Sequence, residues 1–307
     1  MKKHTISIIT PTYKGGAKLI EVYTAIKNQT FQPKEWIIVL DGVDDATLDI
    51  AKKISETAAI DVVIEVIEHN HKKAAVNRGL QIATGDFSLI ADDDDLFPVD
   101  AIEILMNAWD TIADDQKHKY VGVTGLCQDE RGQIIGDKFP TDQFHSNSIE
   151  CSLKRRIKGE KWGMQKTEIL KKYPYFEGAE GYVGEGTVWM TIGKKYNTLY
   201  INKVVRTYNF TPNSIINSRH NKEKIIKNCQ AYTYGYKFTC ENFFLESLSY
   251  PRYFLACSVN YARYYLHSVR FSKHKNWMTP LSSTKALSSF LIGLPIGLIF
   301  FIRDLED

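Results

Sequence analysis

Cysteine is scarce in this sequence, and no two cysteines form a recognisable motif. The 307 residues include five cysteines, with no CxxC and no histidine at zinc-binding spacing (Cys127, Cys151, Cys229, Cys240 and Cys257). This odd and scattered set excludes a disulfide-stapled secreted scaffold and indicates reduced thiols in a cytosolic protein. The apolar stretch at residues 6–9 is too short for a signal-peptide core, so we expect no export.

Strong net charge is missing as well. The 39 basic and 36 acidic residues give a formal charge of +3, and the hydrophobic share of 44% is ordinary for a globular protein. These values exclude wholesale disorder and a polytopic membrane protein. The charge is uneven, because residues 216–303 carry 12 Lys and Arg and 3 Glu, a local charge of +9 that leaves −6 for the rest. A basic carboxyl-terminal third predicts two surfaces with different partners.

The first half of the sequence alternates short apolar segments with amphipathic ones. Strands are predicted at residues 5–9, 36–40, 62–67 and 86–91, and helices at residues 17–29, 46–58 and 73–83. This alternation predicts a doubly wound, mostly parallel α/β sheet, in which ligands bind beyond the carboxyl ends of the strands. We expect Pro11 to stop the first strand.

The pattern changes in the second half. Residues 128–163 predict loops and short strands that complete a site, whereas the chain beyond about residue 220 becomes helical and rich in aromatic side chains. We therefore predict a domain over residues 1–215, followed by a helical, aromatic and basic region over residues 216–307.

Four consecutive aspartates give the sharpest chemical signal. Asp92, Asp93, Asp94 and Asp95 directly follow a predicted strand. Hard carboxylate oxygens suit Mg²⁺ or Mn²⁺, above all where substrate phosphates complete the coordination. A solvated acidic turn is the alternative, and the residues alone leave both interpretations open. Their spacing excludes an EF-hand.

A single aspartate, Asp41, ends the second predicted strand. In nucleotide-binding α/β folds such a residue accepts a hydrogen bond from a base N–H or a ribose hydroxyl, although an aspartate before glycine is also a common turn former. No GxGxxG follows the first strand, and no GxxxxGK[ST] occurs anywhere. The sequence therefore gives little support to a dehydrogenase or a P-loop NTPase.

Five short blocks of sequence carry a family resemblance through their order and spacing. They are Ile8 to Tyr13, Asn28 to Phe31, Ile38 to Gly42, Asn77 to Phe87, and Asp92 to Asp95. In this order they resemble the inverting family-2 glycosyltransferases, over residues 5–98 and again over 159–208. The resemblance implies a GT-A fold, one α/β domain that binds a nucleotide-sugar at the ends of its strands.

The resemblance also implies roles for individual residues at the donor. Pro11 and Tyr13 would border the nucleobase, and Asp41 would pair with it, usually with uracil. Asn77 and Arg78 would lie on the donor side as well.

Within the acidic run, the family's DxD motif falls on Asp92 and Asp94. Asp92 would lie near the ribose or the sugar, and Asp94 would hold a divalent metal, Mn²⁺ or Mg²⁺, that bridges the diphosphate. Asp93 would also bind the donor, and the role of Asp95 stays open. The chemistry agrees, because a metal stabilises the negative charge that a leaving nucleoside diphosphate accumulates.

An inverting enzyme also needs a general base for the acceptor hydroxyl. The family supplies it from a Glu-Asp pair that opens a helix, and the matching residues here are Glu185 and Gly186. Glu185 is therefore the candidate base, with Glu180 and Glu177 as competitors. A helix-opening acid without a catalytic role is the alternative.

Two further positions bear on the predicted site. Val76 stands where many relatives place an arginine, so Lys72, Lys73 or Arg78 could supply positive charge near the phosphates, with a solvated helix face as the alternative for either lysine. Trp162 falls where the family's acceptor-side loop commonly lies, and it is expected either to stack on a sugar ring or to be a packing anchor.

Residues 286–302 form 17 consecutive residues without charge. This run is at the lower limit for a membrane span and is interrupted by Pro295, Gly293 and Gly297. With basic and aromatic residues upstream, it favours a helix seated in the interface of an anionic membrane, peripheral to the cytoplasmic face. A helical bundle that buries the segment, or uses it to dimerise, is the alternative.

These features predict a metal-dependent inverting glycosyltransferase that moves a sugar from a UDP-sugar to a lipid-linked carbohydrate acceptor. A role in surface polysaccharide or lipopolysaccharide synthesis follows by analogy alone. A nucleotidyltransferase and a non-catalytic nucleotide-sugar-binding scaffold are the alternatives. With a pI of 8.4 and no recognition motif, nucleic acid is not an expected partner, and oligomeric state has no signal in the sequence.

Overall fold

The computed structural model describes residues 4–181, 183–208, 222–271 and 283–306. The chain divides into two compact units. A sheet unit comprises Met1–Tyr175 with Val188–Phe210, and a helical unit comprises Phe176–Thr187 with Thr211–Asp307. The boundary expected between residues 215 and 216 lies outside the described residues. All five cysteines are buried and free.

The described part of the sheet unit contains one eight-stranded sheet. Its strands are β1 Ile6–Thr12, β2 Glu35–Asp41, β3 Asp61–Ile67, β4 Phe87–Ile90, β5 Tyr120–Gln128, β6 Gln143–Ser146, β7 Lys161–Lys166 and β8 Asn197–Thr207, in the order β3-β2-β1-β4-β7-β5-β8-β6. The helices along the chain are α1 Lys18–Lys27, α2 Asp45–Thr57, α3 His71–Ile82, α4 Ala101–Asp110, α5 Thr167–Lys172, α6 Gly186–Gly193, α7 Lys222–Asn242, α8 Phe244–Leu248, α9 Pro251–Phe271 and α10 Thr284–Glu306.

Strands β1 to β4 pair in parallel and confirm the doubly wound half of the prediction. Pro11 does not stop β1, which pairs with β2 as far as Thr12. The carbonyl of Ile9 accepts a hydrogen bond from the N–H of Ala91, on the β4 side of the strand. Alternate residues of a strand face the same neighbouring strand, so the backbone of Pro11 also faces the β4 side. The β4 ladder ends at Ile9, so the missing N–H of proline costs no sheet hydrogen bond.

The other half of the sheet is mixed. Strand β7 is antiparallel to both β4 and β5, β5 is parallel to β8, and β6 is antiparallel to β8. Residues 128–163, predicted as loops and short strands, contain β6, a single π-helical turn at Glu150–Lys154, and the start of β7. Sequence periodicity missed β7, because it is only six residues long and contains Gly163 and three polar side chains.

The core lies on both faces of the sheet. Ile6, Ile8 and Trp36 belong to a cluster that also contains residues of α1, α2 and α4. Ile9 and Ile37, one position on along the same strands, belong to a second cluster with residues of α3, α5 and α6. Because neighbouring strand residues point to opposite faces, continuous apolar strands bury both faces under helices.

In the helical unit, α9 and α10 pack closely along a seam of small residues. A Cβ added to Gly293 would lie 2.0 Å from the carbonyl oxygen of Ser258, and one added to Gly297 would lie 2.9 Å from Cβ of Ala262. No side chain fits at these two positions without moving the backbone of α9. The glycines that interrupt the apolar run in the sequence therefore form its contact with the neighbouring helix.

Toward the end of α10, an ion pair between the buried Asp304 and the partly buried Arg263 continues the same contact. Arg263 donates from Nε and Nη2 to the two carboxylate oxygens of Asp304, at 2.6 and 2.5 Å, and Nε2 of His267 lies 2.8 Å from Oδ2. Burial would raise the pKa of Asp304, but the hydrogen bonds from Arg263 and His267 hold it below its usual value. Burial lowers the pKa of His267.

The remaining surface of α10 is apolar and exposed. By length and composition, α10 is the one helix in the described ranges that could cross a membrane, a test that the buried core helix of a soluble protein also passes. Its large exposed hydrophobic residues are Leu291, Ile292, Ile296, Leu298, Ile299, Phe300 and Ile302. Helix α10 therefore buries its small residues and exposes its large ones.

Candidate functional site

Four neighbouring parallel strands end at one edge of the sheet, and polar residues follow each end. Thr12 ends β1, Asp41 ends β2, His69 follows β3 by two residues, and Asp92 follows β4 by two residues. The parallel register places these ends side by side. The expected meeting of Asp41 and the acidic run at one edge is therefore a feature of the fold.

The acidic loop, residues 92–95, holds three carboxylates close together. One oxygen each of Asp92, Asp94 and Asp95 lie within 4.8 Å of one another. Nζ of Lys72 lies 2.8 and 2.9 Å from the two oxygens of Asp92, and Nζ of Lys18 lies 3.6 Å from Asp94. A cluster of hard oxygen ligands at this spacing fits a divalent cation.

The surroundings shift the pKa values of Asp92 and Asp93 in opposite directions. Burial would raise the pKa of Asp92, but the charges of Lys72 and Arg206 hold it below its usual value. Burial raises the pKa of Asp93, although Thr12 Oγ1 donates to its Oδ2 at 2.6 Å. Asp92 therefore favours its charged form, whereas Asp93 has only partial compensation for its burial.

Arg206 of β8 fixes the end of the loop, and no local sequence pattern predicts this contact. Its Nη2 lies 2.5 Å from Oδ1 of Asp95, and both residues are buried. Oδ2 of Asp95 accepts from the backbone N–H of Asp92, at 2.9 Å. Burial and the neighbouring charge of Asp92 raise the pKa of Asp95. Asp95 thus joins Arg206 to the backbone of the loop.

Gly15 allows the loop to approach the segment after β1. A Cβ at this position would lie 2.1 Å from Oγ1 of Thr12 and 2.5 Å from Oδ2 of Asp93. The contact between Thr12 and Asp93 therefore requires glycine, or a shift of both side chains.

Asp41 is deeply enclosed by its neighbours. It is 3% exposed, its Oδ1 accepts from the backbone N–H of Asn70 at 2.7 Å, and its Oδ2 lies 3.0 Å from Nδ1 of His69. The ring of Tyr13 stacks on His69 with centroids 4.6 Å apart, and Tyr13 is 54% exposed. Pro11 lies buried within β1. The structure thus brings Tyr13 and Asp41 to one place and adds His69.

Asn77 and Arg78 make contacts other than those implied by the resemblance. The Asn77 side chain donates to the carbonyl of Tyr175 and accepts from its N–H, both at 2.8 Å. Arg78 pairs with Glu65 of β3 at 2.7 Å on the surface. Lys72, one of the three cations considered, contacts the acidic loop, while Val76 lies in the core. Asn77 therefore supports the chain around Tyr175.

Trp162 is a packing residue. It is 6% exposed, its Nε1 donates to the carbonyl of Ile90 at 2.6 Å, and its ring stacks on Phe97 with centroids 5.3 Å apart. With its edge hydrogen-bonded and its side chain within the core, it presents no face to a sugar. This corrects the expectation of sugar stacking in favour of the packing anchor.

Glu185 directly precedes Gly186, the first residue of α6, and is half-buried. It belongs to the stretch Phe176–Thr187 of the helical unit. Glu180, one of its competitors, is tied to α7: its N–H donates to Oε1 of Gln230 at 3.1 Å, and Nε2 of Gln230 donates back to its carboxylate at 3.4 Å. A Cβ at Gly186 would meet no atom within 4 Å among the described residues.

Curated relatives are bacterial glycosyltransferases. A Campylobacter jejuni protein, GalNAc(5)-diNAcBac-PP-undecaprenol beta-1,3-glucosyltransferase, is 27% identical over 210 residues, which are 66% of this chain and 64% of the relative. The Staphylococcus aureus poly(ribitol-phosphate) beta-N-acetylglucosaminyltransferase TarP is 32% identical over 113 residues, 35% of this chain and 33% of TarP. The chain thus spans less than two thirds of the length of these relatives.

Solved structures share the fold at low identity. S. aureus TarS 1-349 in complex with UDP has a TM-score of 0.57 at 16% identity, over 98% of this chain and 91% of that chain. The mannosyltransferase PcManGT from Pyrobaculum calidifontis, in complex with GDP-Man and Mn²⁺, has a TM-score of 0.55 at 17% identity, over 99% of this chain and 85% of that chain. These likenesses confirm the expected GT-A-type architecture.

The sequence profile of "Glycosyl transferase family 2" matches residues 7–165, a stretch that runs from β1 through β7 and includes Asp41 and the whole acidic loop. Because this match covers more than half of its residues, the chain belongs to glycosyl transferase family 2.

Proposed function

We propose that the chain is a metal-dependent, inverting glycosyltransferase that moves one sugar from a UDP-sugar to a carbohydrate acceptor. The observation that carries this proposal is the meeting of Asp41, Tyr13 and the acidic loop at one sheet edge. An exposed aromatic ring suits a nucleobase, and clustered carboxylates suit a cation that neutralises a diphosphate. TarS, which shares the fold, has been solved with UDP and with UDP-GlcNAc.

In this proposal the acidic loop serves the diphosphate and the sugar. Asp94 holds Mn²⁺ or Mg²⁺, which when bound supplies Lewis-acid stabilisation of the leaving diphosphate. Asp92 lies toward the ribose or the sugar, and Lys72 beside it adds positive charge. Asp93 stays on the donor side, held by Thr12.

The nucleobase end of the donor falls to Pro11, Tyr13 and Asp41. Asn77 contributes indirectly by holding the backbone of Tyr175. We leave Arg78 out of the proposed donor contacts, because it pairs with Glu65.

Glu185 is the proposed general base. Its carboxylate would take the proton of the acceptor hydroxyl while the hydroxyl oxygen bonds to the anomeric carbon of the sugar and the nucleoside diphosphate leaves from the opposite face. Glu185→Gln should keep donor affinity and lose transfer by about 10²-fold or more. Gly186→Asp is the complementary test. It adds the carboxylate that the family usually carries at this position, where there is space for a side chain. Unchanged transfer in Glu185→Gln would contradict the assignment.

We propose a lipid-linked glycan as the acceptor and the cytoplasmic face of the membrane as the location. The Campylobacter jejuni relative is named for a PP-undecaprenol-linked substrate. The exposed apolar surface of α10 supports a membrane partner, because soluble monomers rarely expose so many large aliphatic residues together.

The packing of α9 on α10 favours a peripheral position over a full crossing. Gly293 meets Ser258 and Asp304 meets Arg263, so the two helices run side by side in the same direction. A crossing α10 would carry Arg263 and its neighbours on α9 into the bilayer with it, at considerable cost. Lying in the interface, α10 can bury its outer aliphatic face and leave these groups near water.

Co-sedimentation with vesicles tests this location. The full chain should bind vesicles that contain phosphatidylglycerol, and Ile292→Glu/Ile299→Glu should reduce binding by about 10-fold or more, because both side chains are exposed on α10. Ile20→Glu, which changes an exposed aliphatic residue of the sheet unit, is the matched control. Equal binding by both variants would contradict a role for α10. A change in solution mass confined to the α10 variant would indicate self-association.

The activity itself is tested by UDP release from a panel of UDP-sugars, with and without Mn²⁺ and with a lipid-linked glycan acceptor. Metal-dependent release, lost in Asp94→Ala and retained in Asp115→Ala, supports a transferase. Donor binding without release would indicate a scaffold. Absence of both metal-dependent binding and release would overturn the proposal.

A further inference from the structure

The residue best placed to meet a nucleobase edge is His69, which follows β3. Asp41 is 3% exposed, and both of its carboxylate oxygens already have partners, the N–H of Asn70 and the His69 ring. The His69 side chain, in contrast, is 47% exposed. An incoming base therefore encounters the imidazole before it can reach the carboxylate.

The surroundings of His69 fix the position of its proton. Nδ1 lies 3.0 Å from Oδ2 of Asp41 and 3.3 Å from the backbone carbonyl oxygen of Asp41. Both of these atoms are acceptors, so Nδ1 must be the donor, and in the neutral ring Nε2 is then an acceptor. Stacking on Tyr13 holds the plane of the ring.

We propose that His69 reads the nucleobase, and that Asp41 acts as a positioning residue that fixes the His69 tautomer. This inference rests on the proposed function and names the group that selects the base. Uracil presents a donor at N3, which matches an acceptor at Nε2, whereas cytosine presents an acceptor there. The site therefore favours uridine over cytidine nucleotides.

The titratable groups around His69 are compatible with this role. Asp41 faces it from β2, and the ring of His71 from α3 meets it at 5.2 Å between centroids. Tyr13 covers one face, and Nζ of Lys14 lies 5.3 Å from the Tyr13 ring. Protonation would turn Nε2 into a donor and remove its preference for uracil N3.

Calorimetric titration of the full chain with UDP and with CDP at pH 8 tests the proposal. Wild type should prefer UDP by about 10-fold or more, because a mismatched polar edge leaves a group unpaired. His69→Phe keeps an aromatic ring beside Tyr13 and removes the acceptor, so its preference should fall to within about 2-fold. A preference that persists in His69→Phe overturns the inference.

The positioning role of Asp41 has its own test. In Asp41→Asn, the Asn70 N–H should keep the amide oxygen and turn the amide NH₂ toward Nδ1 of His69. The ring would then carry its proton on Nε2, and the preference should shift toward CDP. An equal loss of affinity for UDP and for CDP in Asp41→Asn would contradict a positioning role.

Asp41→Asn keeps the result decisive if His69→Phe binds neither nucleotide. A preference for UDP that is the same in Asp41→Asn as in wild type overturns the inference, while wild type that binds neither nucleotide contradicts the proposed function instead.

Discussion

The two units of the chain differ in what they bury and what they expose. The sheet unit buries charge, since Asp41 and Asp95 are almost inaccessible at the ends of its strands. The helical unit exposes apolar surface along α10, where Ile299 is 64% exposed. Both arrangements are unfavourable for an isolated soluble protein. We propose that each marks a surface that a partner completes, a charged ligand in the first unit and an apolar partner in the second.

The two units nevertheless share a structural device. Arg206 pairs with Asp95 in the sheet unit, and Arg263 pairs with Asp304 in the helical unit. In each pair the partners are far apart in the sequence and join two elements. Removing one partner of a buried pair leaves an uncompensated charge, so each pair is sensitive to substitution.

The largest expected effect comes from breaking the pair in the sheet unit. Arg206→Ala leaves Asp95 buried without its cation, and we expect a loss of about 3–5 kcal/mol in the free energy of unfolding. Arg78→Ala is the control, because it removes a surface pair with Glu65 worth less than about 1 kcal/mol. Urea denaturation measures both, and similar losses would contradict the buried role of Arg206.

The seam of the helical unit gives a smaller effect with an internal control. Gly293→Ala forces a methyl group against the Ser258 carbonyl, and should cost about 1–3 kcal/mol. Gly235→Ala in α7 meets no described atom within 4 Å and should stabilise the protein by up to about 1 kcal/mol. Thermal unfolding compares them. If both substitutions changed the stability in the same direction, the close approach of α9 and α10 at Gly293 would not govern their packing.

The smallest expected effect is a pH dependence of stability that comes from the ion pair of the helical unit. The pKa values of His267 and Asp304 are both lowered in the folded unit, so each group binds protons more readily when unfolded. The contribution of these two groups to the free energy of unfolding is therefore full at a pH above their pKa values in the unfolded chain. It falls as the pH drops below about 6.5, where unfolded histidine gains a proton, and falls further below about 4, where unfolded aspartate does. His267→Gln should flatten the fall in melting temperature between pH 7.5 and 5.5. An unchanged slope would contradict the contribution of His267.

The sequence predicted the parallel half of the sheet because its strands are continuous apolar runs separated by amphipathic helices. It failed at Pro11, since the end of the β4 ladder, and not proline itself, decides what the strand tolerates there. It did not locate β7, where six residues with one glycine and three polar side chains give no regular apolar pattern.

The candidate site divides in the same way. Asp41 and the acidic loop were predicted because each directly follows a strand. Arg206 could not be, because its contact with Asp95 depends on the register of β8, more than 100 residues away in the chain. His69 had a usable signal that was overlooked, since it too follows a parallel strand. Trp162 shows the limit of motif position, which cannot distinguish a packing residue from a sugar contact.

Calorimetric titration with UDP, with and without Mn²⁺, tests the central claim most directly, that the strand ends form one donor site. Wild type should bind UDP more tightly with Mn²⁺, by about 10-fold or more. Asp94→Ala should retain the weaker, metal-independent binding through the Tyr13, His69 and Asp41 group and lose the metal effect. Wild-type binding that ignores Mn²⁺, or a metal effect that survives in Asp94→Ala, would contradict the account.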